Sequence, residues 1–263
     1  FKGETMLKKI LIVAVGLVVI VGAGLFILDR TLFAPAAVSS ALPIAPTIAA
    51  PIQAAKPTPT SAAPGAADQP ATPAQSSTAM SATGSATVYQ IDPNQSEARY
   101  EVGETFFQGN RFNLAVGRTK GIAGEVLVDF ANPANSQIGT IVIDISQFKS
   151  DEGRRDNFIR NNFLQSAQYP QATFKPTKIE GLPASVKPGD SLTLKVTGEL
   201  TVKETTKAVT FDVTLKADQD KVTGTATTEV LLSDFGVGPI QLAMLQTEDK
   251  AKLAFEFVAL PAK

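Results

Sequence analysis

From about Val88 onward, apolar and polar side chains alternate, and the alternation predicts strands. Val126, Val128 and Phe130 fall on one face, with Glu125 and Asp129 on the other. Ile141, Ile143 and Ile145 form a second apolar row. Leu192, Leu194, Val196, Leu200 and Val202 alternate with Thr193, Lys195, Thr197, Glu199 and Thr201. Val209, Phe211, Val213 and Leu215 form another row, and Leu253, Phe255 and Phe257 one more near the end. Successive side chains of a strand point to opposite faces, so one-sided alternation of this kind predicts an antiparallel sheet with a dry and a wet face. Asn132-Pro133, Lys187-Pro188-Gly189-Asp190, Asp218 to Asp220 and Phe235-Gly236 supply turns between the rows. The expectation is an all-β fold, an antiparallel eight-stranded barrel whose closure removes the exposed edges.

One segment breaks the period. Phe158, Ile159 and Phe163 recur at helical spacing within Arg155 to Phe174. Ser150 or Asp151 can cap such a helix by accepting a backbone N–H, and Tyr169-Pro170 ends it, because the residue before proline is pushed out of the α region. The alternation resumes at Ala172-Thr173-Phe174. A single inserted helix in a meander of strands suggests a container with one covering element.

The chain before Val88 reads differently. Ile10 to Leu28 is an unbroken apolar and glycine run of 19 residues. As a helix it covers roughly 28 Å, close to the ~30 Å hydrocarbon core of a bilayer. Lys2, Lys8 and Lys9 precede it, so residues 1–33 are expected to form a single-pass membrane anchor with a cytoplasmic N-terminus and an extracytoplasmic remainder. A cleavable signal peptide is the alternative; its apolar region is shorter, and Ala34-Pro35-Ala36 is a poor cleavage site. Residues 34–87 hold nine prolines among Ala, Ser and Thr, with only Lys56 and Asp68 charged. Such a segment has too few large apolar side chains to offset its ordering entropy and is expected to be a disordered, semi-stiff spacer. The remaining 88–263 suit one domain with a sizeable core.

Composition narrows the chemistry. There is no histidine and no cysteine. This removes the usual general base near neutral pH, any thiolate nucleophile and the common zinc and iron–sulfur ligand sets. No catalytic motif, metal site or cofactor is predicted, and Asp151 with Asp156 is a weak basis for a carboxylate enzyme. From Val88 on there are 19 basic and 22 acidic side chains, which lacks the positive footprint of a nucleic-acid binder. Twelve of the fifteen phenylalanines lie in this part. Either a filled core or a ligand cavity fits them. Phe106-Phe107, flanked by Glu104 and Gly109-Asn110, reads as an exposed rim pair of the sort that marks a contact site.

Four stretches in order carry a resemblance: Ile91-Asp92-Pro93-Asn94-Gln95-Ser96; Arg155-Asp156 through Phe163 with Tyr169-Pro170-Gln171-Ala172-Thr173-Phe174; Gly198-Glu199-Leu200-Thr201-Val202 with Thr206-Lys207-Ala208-Val209; and Ser233-Asp234-Phe235-Gly236-Val237. Together they resemble the YceI-like proteins, a lipocalin-like barrel family associated with polyisoprenoid or other long-chain lipids. Histidines common in that family are replaced here by Gln95 and by Lys203 or Glu204, and a common arginine by Leu232.

The resemblance implies a membrane-tethered extracytoplasmic protein that holds an isoprenoid or other long-chain lipid inside the barrel. Each buried CH₂ is worth about 0.8 kcal/mol, so a tail of about ten carbons supplies several kcal/mol. The apolar rows nominate Val128, Phe130, Ile143, Phe174, Leu194, Phe211, Val213, Phe255 and Phe257 as lining, with Phe158, Ile159 and Phe163 closing one end. Arg154, Arg155 and Arg160 are candidates for a phosphate or carboxylate head group, since guanidinium offers paired donors. Asp156 can instead pair with Arg160 at i+4. The competing reading is a solid envelope module that meets a protein partner, or a second copy as a homodimer, at the rim.

Overall fold

A computed structural model describes residues 38–39, 41–47 and 86–263. Its twelve strands are β1 (Ala86–Ile91), β2 (Glu97–Phe106), β3 (Arg111–Thr119), β4 (Ile122–Ala123), β5 (Glu125–Asp129), β6 (Gln137–Ile138), β7 (Ile141–Asp144), β8 (Gln171–Glu180), β9 (Asp190–Val202), β10 (Thr205–Ala217), β11 (Val222–Leu231) and β12 (Leu245–Pro261). One α-helix, α1 (Gly153–Asn162), lies between β7 and β8. All belong to a single antiparallel sheet, ordered β4-β7-β8-β9-β10-β11-β12-β1-β5-β6, with β2 on β12 and β3 on β2. β4 opens this path and β5 stands near its far end, yet only Gly124 separates them in sequence. The sheet is therefore strongly curled around one interior.

Twelve strands replace the expected eight because several long strands are interrupted. Between β1 and β2 the Asp92 carboxylate accepts the Asn94 N–H at 2.9 Å, an Asx turn that breaks the ladder. Residues 111–129 divide at Lys120-Gly121 and at Gly124. On β8, the register slips between Pro176 and Lys178, where proline lacks the N–H a ladder needs.

The inner face carries three contiguous clusters of buried apolar residues, among them Tyr89, Ile122 and Phe257; Leu194, Val196, Val213 and Ala226; and Leu200, Val209 and Phe235. One expectation fails on β5. Glu125 and Asp129, assigned to the wet face, are buried. The Pro133–Asn135 turn folds back against Asp129, which accepts Asn135 Nδ2, while β6 pairs beside β5 in the sheet. Asp129 accepts the backbone N–H groups of Ala131 and Asn132, and Glu125 accepts Gln90 Nε2, so burial costs neither its hydrogen bonds.

The helix also starts and stops elsewhere. Glu152, rather than Ser150 or Asp151, is the N-cap and accepts the Arg154 N–H at 3.0 Å. Ser150 is engaged otherwise: its N–H and Oγ both donate to Asp156. This also replaces the expected Asp156–Arg160 pair. Arg160 turns inward to donate to the Phe148 carbonyl at 2.6 Å. The helix ends at Asn162, well before Tyr169-Pro170, and the intervening residues form tight turns.

The apolar tract 10–28 and most of the proline-rich segment lie outside the described residues. Among the described residues, no helix is long and apolar enough to cross a membrane. One piece of the proline-rich segment touches the domain: the Ser39 N–H donates to Ser146 Oγ at 2.9 Å.

Candidate functional site

The curled sheet encloses a cavity of about 290 Å³, at the small end of the range for ligand pockets. Its origin is visible in cross-strand pairing. One belt around the inner face runs Leu194–Val213–Ala226–Phe255–Ala98. A neighbouring belt runs Leu192–Leu215–Gly224–Phe257. Large side chains reach inward from β9, β10 and β12, but β11 answers with Ala226 and β2 with Ala98, while Gly224 is closely covered by the β10 backbone at Thr214 and Leu215. Small residues opposite large ones leave the interior short of atoms, which makes a hollow rather than a close-packed core.

Of the twelve residues nominated for the wall and its closed end, Val128, Ile143, Ile159, Phe174, Leu194, Phe211, Val213, Phe255 and Phe257 face this cavity. Phe174 and Phe211 meet edge to face with centroids 4.8 Å apart, and Phe255 and Phe257 stack at 5.3 Å. Three do not line it. Phe130 packs against the outer part of the core near Tyr89 and Ile122. Phe158 and Phe163 turn to each other, with centroids 5.5 Å apart. Ile159 of α1 and Leu164, just past its end, are the residues of this segment that reach the cavity. Phe158 and Ile159 are adjacent, and a helix cannot aim neighbours the same way.

The wall is largely apolar, and its polar exceptions include Asp129, Ser136 and Gln137 at β5 and β6 and a second group near α1. Tyr100 and Glu104 both line the cavity. Glu104 is 5 % exposed and accepts Asn113 Nδ2 at 3.1 Å and Arg155 Nη1 at 3.2 Å. Arg155 also pairs with Asp151 and donates to Ser150 Oγ. Of the three candidate head-group arginines, Arg155 thus stands behind the wall, held by carboxylates. Arg160 is buried with its Nε lacking a protein partner, and Arg154 is exposed on the helix; neither lines the cavity. The carboxylates Asp151 and Asp156 are engaged by Arg155 and Ser150.

Sequence reading passed over Tyr100 and Glu104. The signal was present: Ala98, Tyr100, Val102 and Glu104 share one parity, and a charge at the end of an otherwise uncharged row suggests a partnered, buried carboxylate. Tyr100 lies edge to face with Phe148, centroids 5.1 Å apart, and its ring covers Gly117, its cross-strand partner. A Cβ at Gly117 would come within 2.2 Å of that ring, so glycine there is a steric requirement.

Burial, reinforced by the Asp156 carboxylate, pushes the Tyr100 phenol up to about 12. A raised folded-state value means the unfolded chain ionises first. The stabilisation from keeping this phenol neutral is therefore complete below pH about 10 and is lost as pH rises towards 12. It is worth roughly 2–3 kcal/mol. Urea midpoints measured between these pH values should fall, and Tyr100→Phe should flatten the slope.

Positions that set this chain apart from the family pattern also have clear places. Gln95 donates to Asp92 at 2.6 Å in the β1–β2 turn. Lys203 donates to the Phe163 carbonyl at 3.1 Å, tying the β9–β10 hairpin to the end of α1. Leu232 lines the cavity, so an apolar contact stands where a charge would.

Comparison with known proteins agrees with this architecture. The YceI-like domain model matches residues 89–259. Protein YceI of Escherichia coli is 30% identical over 133 residues, 48% of this chain and 65% of that protein, so the chain spans just under two thirds of the relative's length. A polyisoprenoid binding domain from Saccharophagus degradans superposes with a TM-score of 0.50 at 11% identity, covering 67% of this chain and 99% of that domain. BcnA from Burkholderia cenocepacia gives 0.49 at 23% identity, covering 64% and 98%. At 11% identity the likeness to the Saccharophagus degradans domain speaks for the fold alone.

Proposed function

Because the chain belongs to the YceI-like family, we propose that it is a lipid-binding protein whose closed barrel holds one isoprenoid or other long-chain lipid in the interior cavity. The observation that carries this reading is the cavity itself, whose wall is largely apolar, with one polar group at Tyr100 and Glu104 beside α1 and another at Asp129, Ser136 and Gln137. A hydrocarbon tail needs a dry channel, and its head needs hydrogen-bonding groups. In this reading Tyr100 and the Glu104–Arg155 pair meet the head. The chain is held to a membrane by the apolar tract 10–28 and works outside the cytoplasm, with residues 34–87 as the tether. The family resemblance and the charge pattern around that tract support this placement. The solid-module alternative loses ground to the hollow interior.

The test is mass spectrometry of an organic extract of protein purified from its native host. The proposal predicts one long-chain lipid in near-stoichiometric amount. An extract with no lipid above the level of a control protein from the same membranes refutes it.

A further inference from the structure

The interior ends near Glu104 at a rim, and one side of that rim is greasy. Two segments distant in sequence meet there, the β2–β3 turn and the loop leading into β12. The Phe107 N–H donates to the Met244 carbonyl at 3.0 Å, and Phe106 pairs with Leu245. Phe107 is 53 % exposed, Phe112 60 %, Leu114 50 % and Met244 65 %. No residue from Phe235 to Thr247 carries a charge, and none from Thr105 to Asn110. Two charges border these segments: Arg111 lies over the Phe106 ring at 5.1 Å, and the exposed Glu248 side chain stands beside Phe112 over Gly103. The same segments run straight into the cavity wall, to which Glu104, Ile240 and Thr247 contribute.

We propose that this rim docks the domain onto a lipid bilayer, with Phe107, Phe112 and Met244 seated among the head groups. Entering that region costs most for charges, and here two adjoining loops carry none, with Arg111 and Glu248 at their borders. Arg111 can keep its guanidinium at the phosphate level while its stem and the Phe106 ring stay apolar. A protein partner would call for an apolar centre ringed by polar groups. The exposed residues here instead sit on turn tips and on the outer side of β3, and they are continuous with an oily cavity. Resting on the proposed lipid-holding function, the docked rim gives a tail a path between bilayer and interior that avoids water. Because only one cation takes part, attachment to neutral phospholipid should change little with salt.

The chain has no cysteine, so a single introduced one carries a spin label at a known place. The full chain is reconstituted in phosphatidylcholine vesicles with a label at Phe107→Cys, at Met244→Cys, or at Ser185→Cys, an exposed position near the opposite end of the interior. The proposal predicts that the ratio of oxygen to water-soluble nickel-chelate accessibility is several-fold higher at the first two than at Ser185→Cys. Adding Phe112→Asp to the Met244→Cys chain should return that ratio to the Ser185→Cys level without lowering Tm. Two results overturn it: rim labels as water-exposed as the control, or dipolar broadening between rim labels, which assigns the patch to a second copy. Rim labels that stay wet while lipid is still found in the native extract refute docking alone. Buried rim labels with no lipid in the extract refute only the carrier reading.

Discussion

Ala226→Phe should abolish lipid binding while leaving the fold intact. Ala226 lies on the inner face of β11 between Val213 and Phe255, its partners on β10 and β12. It is the small member of a belt that is otherwise large on three strands. A phenyl ring there has the cavity to occupy, so the change costs no more than about 3 kcal/mol, the upper end for overpacking. If the ring displaces about four methylenes of a bound tail, the lost burial is about 3 kcal/mol, or roughly a hundredfold in Kd. Titration of delipidated protein with a fluorescent long-chain isoprenoid alcohol measures this directly. Urea unfolding of the same samples shows whether stability has been kept. Unchanged affinity in a folded variant would mean that the tail does not run past β11.

The largest loss of stability is expected at Arg155→Ala. Glu104 and Arg155 are paired at 3.2 Å with side chains 5 % and 14 % exposed. Removing the guanidinium leaves a carboxylate beside an apolar cavity with Asn113 as its remaining donor. Breaking a buried pair from one side costs about 3–5 kcal/mol, because the survivor stays dehydrated and uncompensated. The double variant Glu104→Leu/Arg155→Met should recover most of the stability, since both charges then leave together. Urea midpoints for the two single variants and the double variant form the required cycle. A loss below about 1 kcal/mol for Arg155→Ala would mean that water reaches the pair.

The sheet was legible in the sequence because alternation has a single physical cause. Along β9, β10 and β12, most apolar residues of one parity meet the interior, and nine of the twelve nominated residues line the cavity. Alternation fails where a strand is covered on both faces. β5 is the case: Glu125 and Asp129 are as buried as Leu127, with the Pro133–Asn135 turn folded back on Asp129 and Gln90 on Glu125. The helix was legible as an element but not in its facing. Ten residues with few apolar positions leave the choice between Phe158 and Ile159 open until the packing is seen. The polar end was illegible for another reason. Glu104, Asn113 and Arg155 come from three separate elements, and only tertiary pairing brings them together. The hollow itself depends on small residues, Ala98 and Ala226, that no apolar pattern singles out.

The most direct measurement is a crystal structure of the protein purified from its native host without delipidation. The account predicts elongated density running between Leu194, Phe211 and Phe255, with its wider end against Tyr100 and Glu104. Side chains of β9, β10 and β12 closed onto β11, leaving no space for a chain of carbon atoms, would contradict it.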